Sequence, residues 1–515
     1  MAADAVAEAV SGLWPLNEGS RQKIVDRIST NLVSICFSKD KSQRVDDSVA
    51  RSLAVRIESE AFAATQERAK EGGGAAVKGS ALVMIYARHA SELMVDAFKK
   101  ERSKGGAGEE AVTEFDISGG KREALSKEDA EKLLAPLLRP NNGCKKVKLS
   151  SKAFTLEAAE VAHQALTNAR DTLTHADLSD IIASLPEEEA LQVITKVTSA
   201  LEGCKLESLN LSDNAFGEKG VRAAAIALTS QPSLRHLYFC NNGISKEAAA
   251  AIKELLPAQA VASLETLHFF NNMSGDAGAA ILADVVRDAG GLKDFRFAST
   301  RVGTDGGRAL ADAIAANSTL ERLDLRDNMF GEEGGAALAS ALKHHPNLKQ
   351  LMLGDTALGD DGVADLLESL AQSTPALEVL ELGGNDLSEE GAGRIAECLK
   401  PFRALKKLVL CDNELGDEGV ATIAAIIPDN LISLEEVDLS TNDFGRKGAE
   451  AAARAVKDLE GFKLLTINGN HISADGIRAV KEILGIPVED GEEGDGGKGV
   501  LGLLDENDDE GEDEN

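Results

Sequence analysis

Five short stretches of this sequence offer amides, carboxylates, aromatic rings and guanidinium groups at nearly equal spacing. They are Asn210, Ser212 and Asp213; Tyr238, Cys240 and Asn241; His268, Phe270 and Asn271; Arg296, Ala298 and Ser299 with Arg301; and Asp324, Arg326 and Asp327. No Ser/His/Asp constellation can be drawn from them. Set out in rows, such groups hydrogen-bond, stack and pair charges over a broad area, which is the chemistry of holding another protein. The corresponding later residues (Met352, Gly354, Asp355; Glu381, Gly383, Gly384; Val409, Cys411, Asp412) are plainer. Aromatic and arginine anchors dominate interface energetics, so Tyr238, Arg301 and Arg326, with Asn271 beside them, are the contact candidates.

Other chemistry leaves little trace. There is no G-x-x-x-x-G-K-[ST] phosphate loop. His344-His345 falls at the end of a predicted outer helix and reads as surface charge. The six cysteines are dispersed with no C-x-x-C pair, which argues for a reducing compartment and against zinc or a disulfide framework. Asp505-Glu-Asn-Asp-Asp-Glu-Gly511 resembles a calcium loop, but its glycine falls at the seventh place instead of the sixth, so it reads as plain acidic tail. Neither a metal nor a cofactor is expected.

The elements that must carry the candidate residues are written in one repeat. The pattern L-x-x-L-x-L-x-x-N recurs ten times, with its second apolar position at Leu209, Leu237, Leu267, Phe295, Leu323, Leu351, Leu380, Leu408, Val437 and Leu465. Successive copies lie 28 to 30 residues apart, the period of a leucine-rich-repeat solenoid. Weaker copies at Val147-Lys-Leu149 and Ala176-Asp-Leu178 extend it toward the N-terminus. In L-x-L, alternate residues point to opposite faces of a short strand, so both leucines enter the core and the residue between them faces out. Asn214, Asn242, Asn272, Asn328, Asn385, Asn413, Asn442 and Asn470 mark the turn out of the strand, where a side-chain amide can satisfy freed backbone groups. Thr300 and Thr356 take that place in two copies. A G-x-x-G segment follows, as in Gly331-Glu-Glu-Gly334, and then an Ala/Leu-rich helix. One such unit cannot bury enough to stand alone, so the repeats must stack. The expected fold is α/β: a horseshoe of the ribonuclease-inhibitor kind, with a parallel sheet inside and helices outside.

Along the chain, residues 12–103 read as a small all-α domain, 104–112 as a linker, 113–485 as the solenoid with its entry segment, and 486–515 as a disordered acidic tail. Within the first region Ser20 is placed to cap a helix, and two more helices are expected over 49–70 and 76–101. Formal net charge is −31, of which the stretch Glu489–Asn515 carries −12. Such a chain should avoid nucleic acid and anionic membrane and prefer a basic protein partner. The first residues lack the basic start and apolar core of a signal peptide, and no run approaches a membrane span. A soluble intracellular protein is the expectation.

Several stretches resemble the Ran GTPase-activating proteins: Ser212-Asp-Asn-Ala-Phe-Gly217, Leu237-Tyr-Phe-Cys-Asn-Asn-Gly243, Ser299-Thr-Arg-Val-Gly303 and Leu323-Asp-Leu-Arg-Asp-Asn-Met-Phe-Gly331. The entry Phe115-Asp-Ile-Ser-Gly-Gly120, the region around Trp14-Pro15 and the tail segment Leu504-Asp-Glu-Asn507 resemble the plant branch of that family. The resemblance covers nearly the whole chain. It implies an activator that docks on the switch regions of Ran-GTP and fixes the GTPase's own water-orienting glutamine without supplying an arginine finger. The family's key asparagine matches Asn241, the implied catalytic residue, and a second interface residue matches Asp327. Trp14 and Pro15 match a Trp-Pro-Pro targeting signature that recruits coiled-coil anchors at the nuclear envelope. The implied location is the cytoplasm and the outer face of that envelope, extending to cell-division structures.

Two departures stand out. In Leu178-Ser-Asp-Ile-Ile-Ala-Ser-Leu185-Pro186, Leu185 stands where the family carries an arginine, a loss for which Arg170 or Arg301 is the candidate replacement. Leu16 replaces the second proline of the targeting signature. Leu185 is the best support for a rival reading, a repeat scaffold that binds a basic protein without activating it.

Overall fold

A computed structural model describes residues 18–35, 47–71, 113–119, 123–373 and 376–487, with Tyr86, His89, Ala90, Leu93 and Leu501. Trp14, Pro15 and Leu16, the linker 104–112, most of the helix expected over 76–101 and most of the tail lie outside the described residues. The chain divides into two compact units, Met1–Glu110 and Ala111–Asn515.

In the first unit, α1 (Glu18–Ile35) and α2 (Asp47–Glu71) pack through Ile24, Val25 and Ile28 against Leu53, Ala54, Ile57 and Ala61. Helix α1 opens at Glu18, so Ser20 lies inside its first turn and does not cap it. Glu58 is buried, and a buried carboxylate is tolerable only when paired. Arg21 meets it with two hydrogen bonds of 2.7 Å, and the Tyr86 hydroxyl donates to it at 3.1 Å. Burial, then the Glu58 charge, pushes the Tyr86 hydroxyl pKa well above its ordinary value.

The second unit is built on short strands: β1 (Glu114–Asp116), β2 (Glu123–Leu125), β3 (Lys146–Lys148), β4 (Lys152–Phe154) and β5 (His175–Asp177). Then follow β6 (Ser208–Asn210), β7 (His236–Tyr238), β8 (Thr266–His268), β9 (Asp294–Arg296) and β10 (Arg322–Asp324). The last are β11 (Gln350–Met352), β12 (Val379–Glu381), β13 (Lys407–Val409), β14 (Glu436–Asp438) and β15 (Leu464–Thr466). All but β2 and β4 form one 13-stranded sheet in chain order, and every pairing in it is parallel. Helices such as Gly275–Asp288, Thr304–Ile314 and Gly331–Leu342 connect the strands and pack side by side behind them.

The repeat markers fall into one register. Leu209 pairs with Leu237, Leu237 with Leu267 and Leu267 with Phe295, and the ladder continues to Leu465. The weak copies belong to it, since Val147 pairs with Ala176 and Ala176 with Leu209. The entry segment adds a strand of its own, with Phe115 beside Val147. At the far edge Leu501, buried, forms a parallel bridge to Leu465.

The turn asparagines make the bonds their position demands. Asn272 Oδ1 accepts from the Asn242 and Ile244 amides at 3.0 Å each, while its Nδ2 donates to Phe239 O at 2.9 Å. Thr356 does part of this work, donating through Oγ1 to Leu353 O at 2.6 Å. The two glycines of G-x-x-G have different causes. Gly331 is left-handed (φ 66°), whereas a Cβ on Gly334 would come within 2.6 Å of the Phe330 Cβ that packs under the helix. His345 departs from the surface reading. It is fully buried, and its Nε2 lies 3.1 Å from Ile314 O, capping the helix of the previous repeat.

Candidate functional site

The residue just before each turn asparagine or threonine is left-handed. Asp213 (φ 61°), Asn241 (52°), Asn271 (53°), Ser299 (54°), Asp327 (53°), Asp355 (53°) and Asp412 (56°) form a column along the edge where the chain leaves the sheet. Asn, Asp and Gly enter this region most easily, so residue type here answers first to the backbone. Asn241 therefore has a local cause of its own, apart from that of Asn242. What separates the two is exposure. Asn242 is buried in the ladder, whereas Asn241, Asn271 and Asp327 are exposed.

Along this rim the side chains link. Asn241 Nδ2 donates to Asp213 Oδ1 at 3.1 Å, and Asn271 Nδ2 donates to Asn241 Oδ1 at 3.1 Å. Farther on the rim is acidic. Partial burial, then the charges of Asp412 and Asp327, hold the Asp355 carboxyl pKa above its ordinary value.

The open face of the sheet carries a different set. Asp324 is wholly buried between two arginines: Arg296 Nε lies 3.0 Å from Oδ2, and Arg326 donates to Oδ1 and Oδ2 at 3.0 Å each. Arg326 also donates to Glu381 at 2.9 Å, and Arg296 sits 3.9 Å over the Phe270 ring. Hydrogen bonding to Asp324 raises the Arg326 pKa. Tyr238 stands edge-on to His268 at 5.1 Å, and His268 Nε2 is 3.0 Å from Asp294 Oδ1. Beside Tyr238 toward β1, the face forms an open groove of about 250 Å³ that includes Lys146, Lys148, Asp116, Asp177 and Asn210.

The structure thus joins Asn241 and Asn271 directly and sets Asp327 in the same column. It places Tyr238 and Arg326 on the sheet face, where Arg326 is engaged by two internal carboxylates. Leu185 lies half-buried against the core just before the helix Glu187–Ser199. Arg170 cannot stand in for the missing arginine. It follows the helix Leu156–Ala169 and approaches Gly203, on the edge where the chain enters the sheet. Arg301 is on the rim, exposed and left-handed (φ 59°).

Asp324, set by the sequence reading among the outward groups, is instead wholly buried, because it is the shared counter-ion of Arg296 and Arg326, and two residues escaped that reading, the exposed Met273 and Met329. The only signal for the methionines was that both directly follow a turn asparagine. The five described cysteines are unpaired, and no cluster of metal-ligating side chains occurs among the described residues.

Comparison with known proteins agrees with this architecture. The family described as WPP domain matches residues 11–108, and the family described as Leucine Rich repeat matches 204–223, 316–339, 403–424 and 430–451. The chain is similar to RAN GTPase-activating protein 2 of Arabidopsis thaliana, 42% identical over 97% of this chain and 91% of that protein. It is also similar to RAN GTPase-activating protein 1 of Arabidopsis thaliana, 42% identical over 44% of this chain and 42% of that one. Ran GTPase-activating protein 1 of Saccharomyces cerevisiae (strain ATCC 204508 / S288c) is 27% identical over 28% of this chain and 36% of its own length.

Proposed function

This chain belongs to the Ran GTPase-activating proteins, of the plant type that sets a WPP domain before leucine-rich repeats, and on that premise we propose that it accelerates GTP hydrolysis by Ran. It regulates an enzyme and is not one itself. The rim docks on the switch regions of Ran-GTP, and Asn241 fixes the GTPase's own glutamine so that the attacking water is held in line. The observation that carries this mechanism is the exposed, neutral Asn241 amide, oriented by Asp213 on one side and Asn271 on the other. An amide can position a glutamine without adding charge. Arg296 and Arg326 are tied to Asp324, so neither is free to serve as an arginine finger.

The N-terminal unit, with Trp14 and Pro15 in its sequence, anchors the protein through coiled-coil partners at the outer face of the nuclear envelope. The rest of its distribution is cytoplasmic and extends to cell-division structures. Single-turnover GTP hydrolysis by Ran with catalytic amounts of this chain tests the activity. Acceleration by several powers of ten is expected, and binding without acceleration would favour the scaffold reading. In that case Leu185→Arg decides further, because a large gain in rate identifies a weakened activator.

A further inference from the structure

Among the described residues, the two most exposed large apolar side chains are Met329 (73% exposed) and Met273 (50%), and both lie on the rim that carries Asn241 and Asn271. They occupy one repeat position, directly after the turn asparagine. Elsewhere that position holds Ala215, Gly243, Arg301, Ala357, Asp386, Glu414, Asp443 and His471. Two repeats that flank the Arg301 repeat and are out of step with their own column call for a cause outside the core.

The placement joins this pair to the candidate site. The Met273 methyl lies 3.6 Å from where a Cβ on Gly243 would stand, two residues from Asn241. The Met329 amide donates to Val302 O at 2.7 Å, which sets it beside Arg301. Arg301 thus falls between the two methionines. It keeps a left-handed backbone (φ 59°) that disfavours a residue with a Cβ and that Gly243 adopts easily (φ 62°). Arg296 and Arg326 each pair with Asp324, whereas Arg301 makes no hydrogen bond or ion pair with a described residue. A free guanidinium flanked by two flexible thioethers is suited to a partner, because methionine conforms to an apolar surface and an exposed cation seeks an acid.

We propose that Met273, Arg301 and Met329 form a continuous strip that seats an apolar side chain of the GTPase, with a neighbouring carboxylate of the GTPase on Arg301. This rests on the reading of Ran-GTP as the partner. The strip contributes affinity and orientation, and Asn241 contributes rate.

The test is single-turnover hydrolysis of Ran-bound GTP titrated with the full chain and with a Met273→Ser/Met329→Ser variant. The half-saturating concentration should rise about tenfold, with the saturating rate kept. The Met→Leu pair should restore it, and Arg301→Ala should raise half-saturation and flatten its salt dependence. Thermal unfolding of all three should match the parent, since these side chains are exposed. Unchanged half-saturation in the Ser variant overturns the strip. Where the parent chain does not accelerate hydrolysis, the same proteins are compared for binding to Ran loaded with a non-hydrolysable GTP analogue. Weaker binding by the Ser variant then upholds the strip and rejects the activator reading alone. Equal binding, or none by either protein, overturns the strip.

Discussion

Asn271 donates an amide N–H to the side-chain oxygen of Asn241 at 3.1 Å, and the Asn241 amide nitrogen in turn donates to Asp213 at the same distance. The relay fixes which way the Asn241 amide points and leaves one of its two N–H groups for a partner. Asp213→Ala and Asn271→Ala should each lower the saturating hydrolysis rate about threefold to tenfold, because an orienting contact is lost while the acting group remains. Rates equal to the parent in both variants would show that the relay orients nothing.

Asp324 makes a stability prediction. Its buried carboxylate is the common counter-ion of Arg296 and Arg326, so Asp324→Ala leaves two guanidinium groups partly buried without it. Unfolding in urea should report a loss of about 3 kcal/mol. Arg326→Ala should cost less, since Arg296 still pairs the carboxylate and the Arg326 side chain is 36% exposed. A fully stable Asp324→Ala would mean that solvent already compensates the arginines.

His345 makes the fold sensitive to acid. Burial, the largest cause, holds its pKa below the ordinary value, so the folded protein binds this proton less readily than the unfolded chain. Its stabilising contribution is complete above the unfolded value, about pH 6.5, and is lost as pH falls toward the depressed folded value. Gln231 fills the equivalent place four repeats before His345, with its side-chain amide donating to Leu201 O at 2.8 Å. His345→Gln should therefore keep neutral stability and flatten the dependence of Tm on pH in this window. An identical slope in both proteins would place the acid sensitivity elsewhere.

The parts of this fold written in apolar period were legible, since a strand of alternate residues at 28-residue spacing has one way to stack. Even Val147 and Ala176 fell into register. The turn asparagines were legible for the same reason, as their bonds follow from where the strand ends. The left-handed column was not, because backbone handedness leaves only a trace of Asp, Asn and Gly in sequence. Arg326 read as a free anchor because its partner Asp324 lies two residues away on the same strand end, where alternation suggests exposure. His345 misled because a histidine pair at a helix end usually faces water, and its acceptor, Ile314 O, belongs to another repeat.

One described residue of the acidic stretch, Leu501, makes a stability prediction. Leu501 covers the open edge at Leu465, so truncation after Ile486 should speed amide exchange at Leu465 and Ile467 about tenfold and leave β6 unchanged. Leu501→Asp should act alike. Truncation should also flatten the salt dependence of association with a basic partner, because the −12 charge of the removed segment is screened by salt. Unaltered exchange at Leu465 would leave the bridge without energetic weight.

The most direct measurement is the saturating single-turnover rate of GTP hydrolysis by Ran, taken with the parent chain and with Asn241→Ala. A fall of about a hundredfold or more, with Tm unchanged, is predicted for loss of one positioned hydrogen-bonding group at the reacting centre. Equal saturating rates in the two proteins would remove Asn241 from the mechanism and contradict activation by this rim.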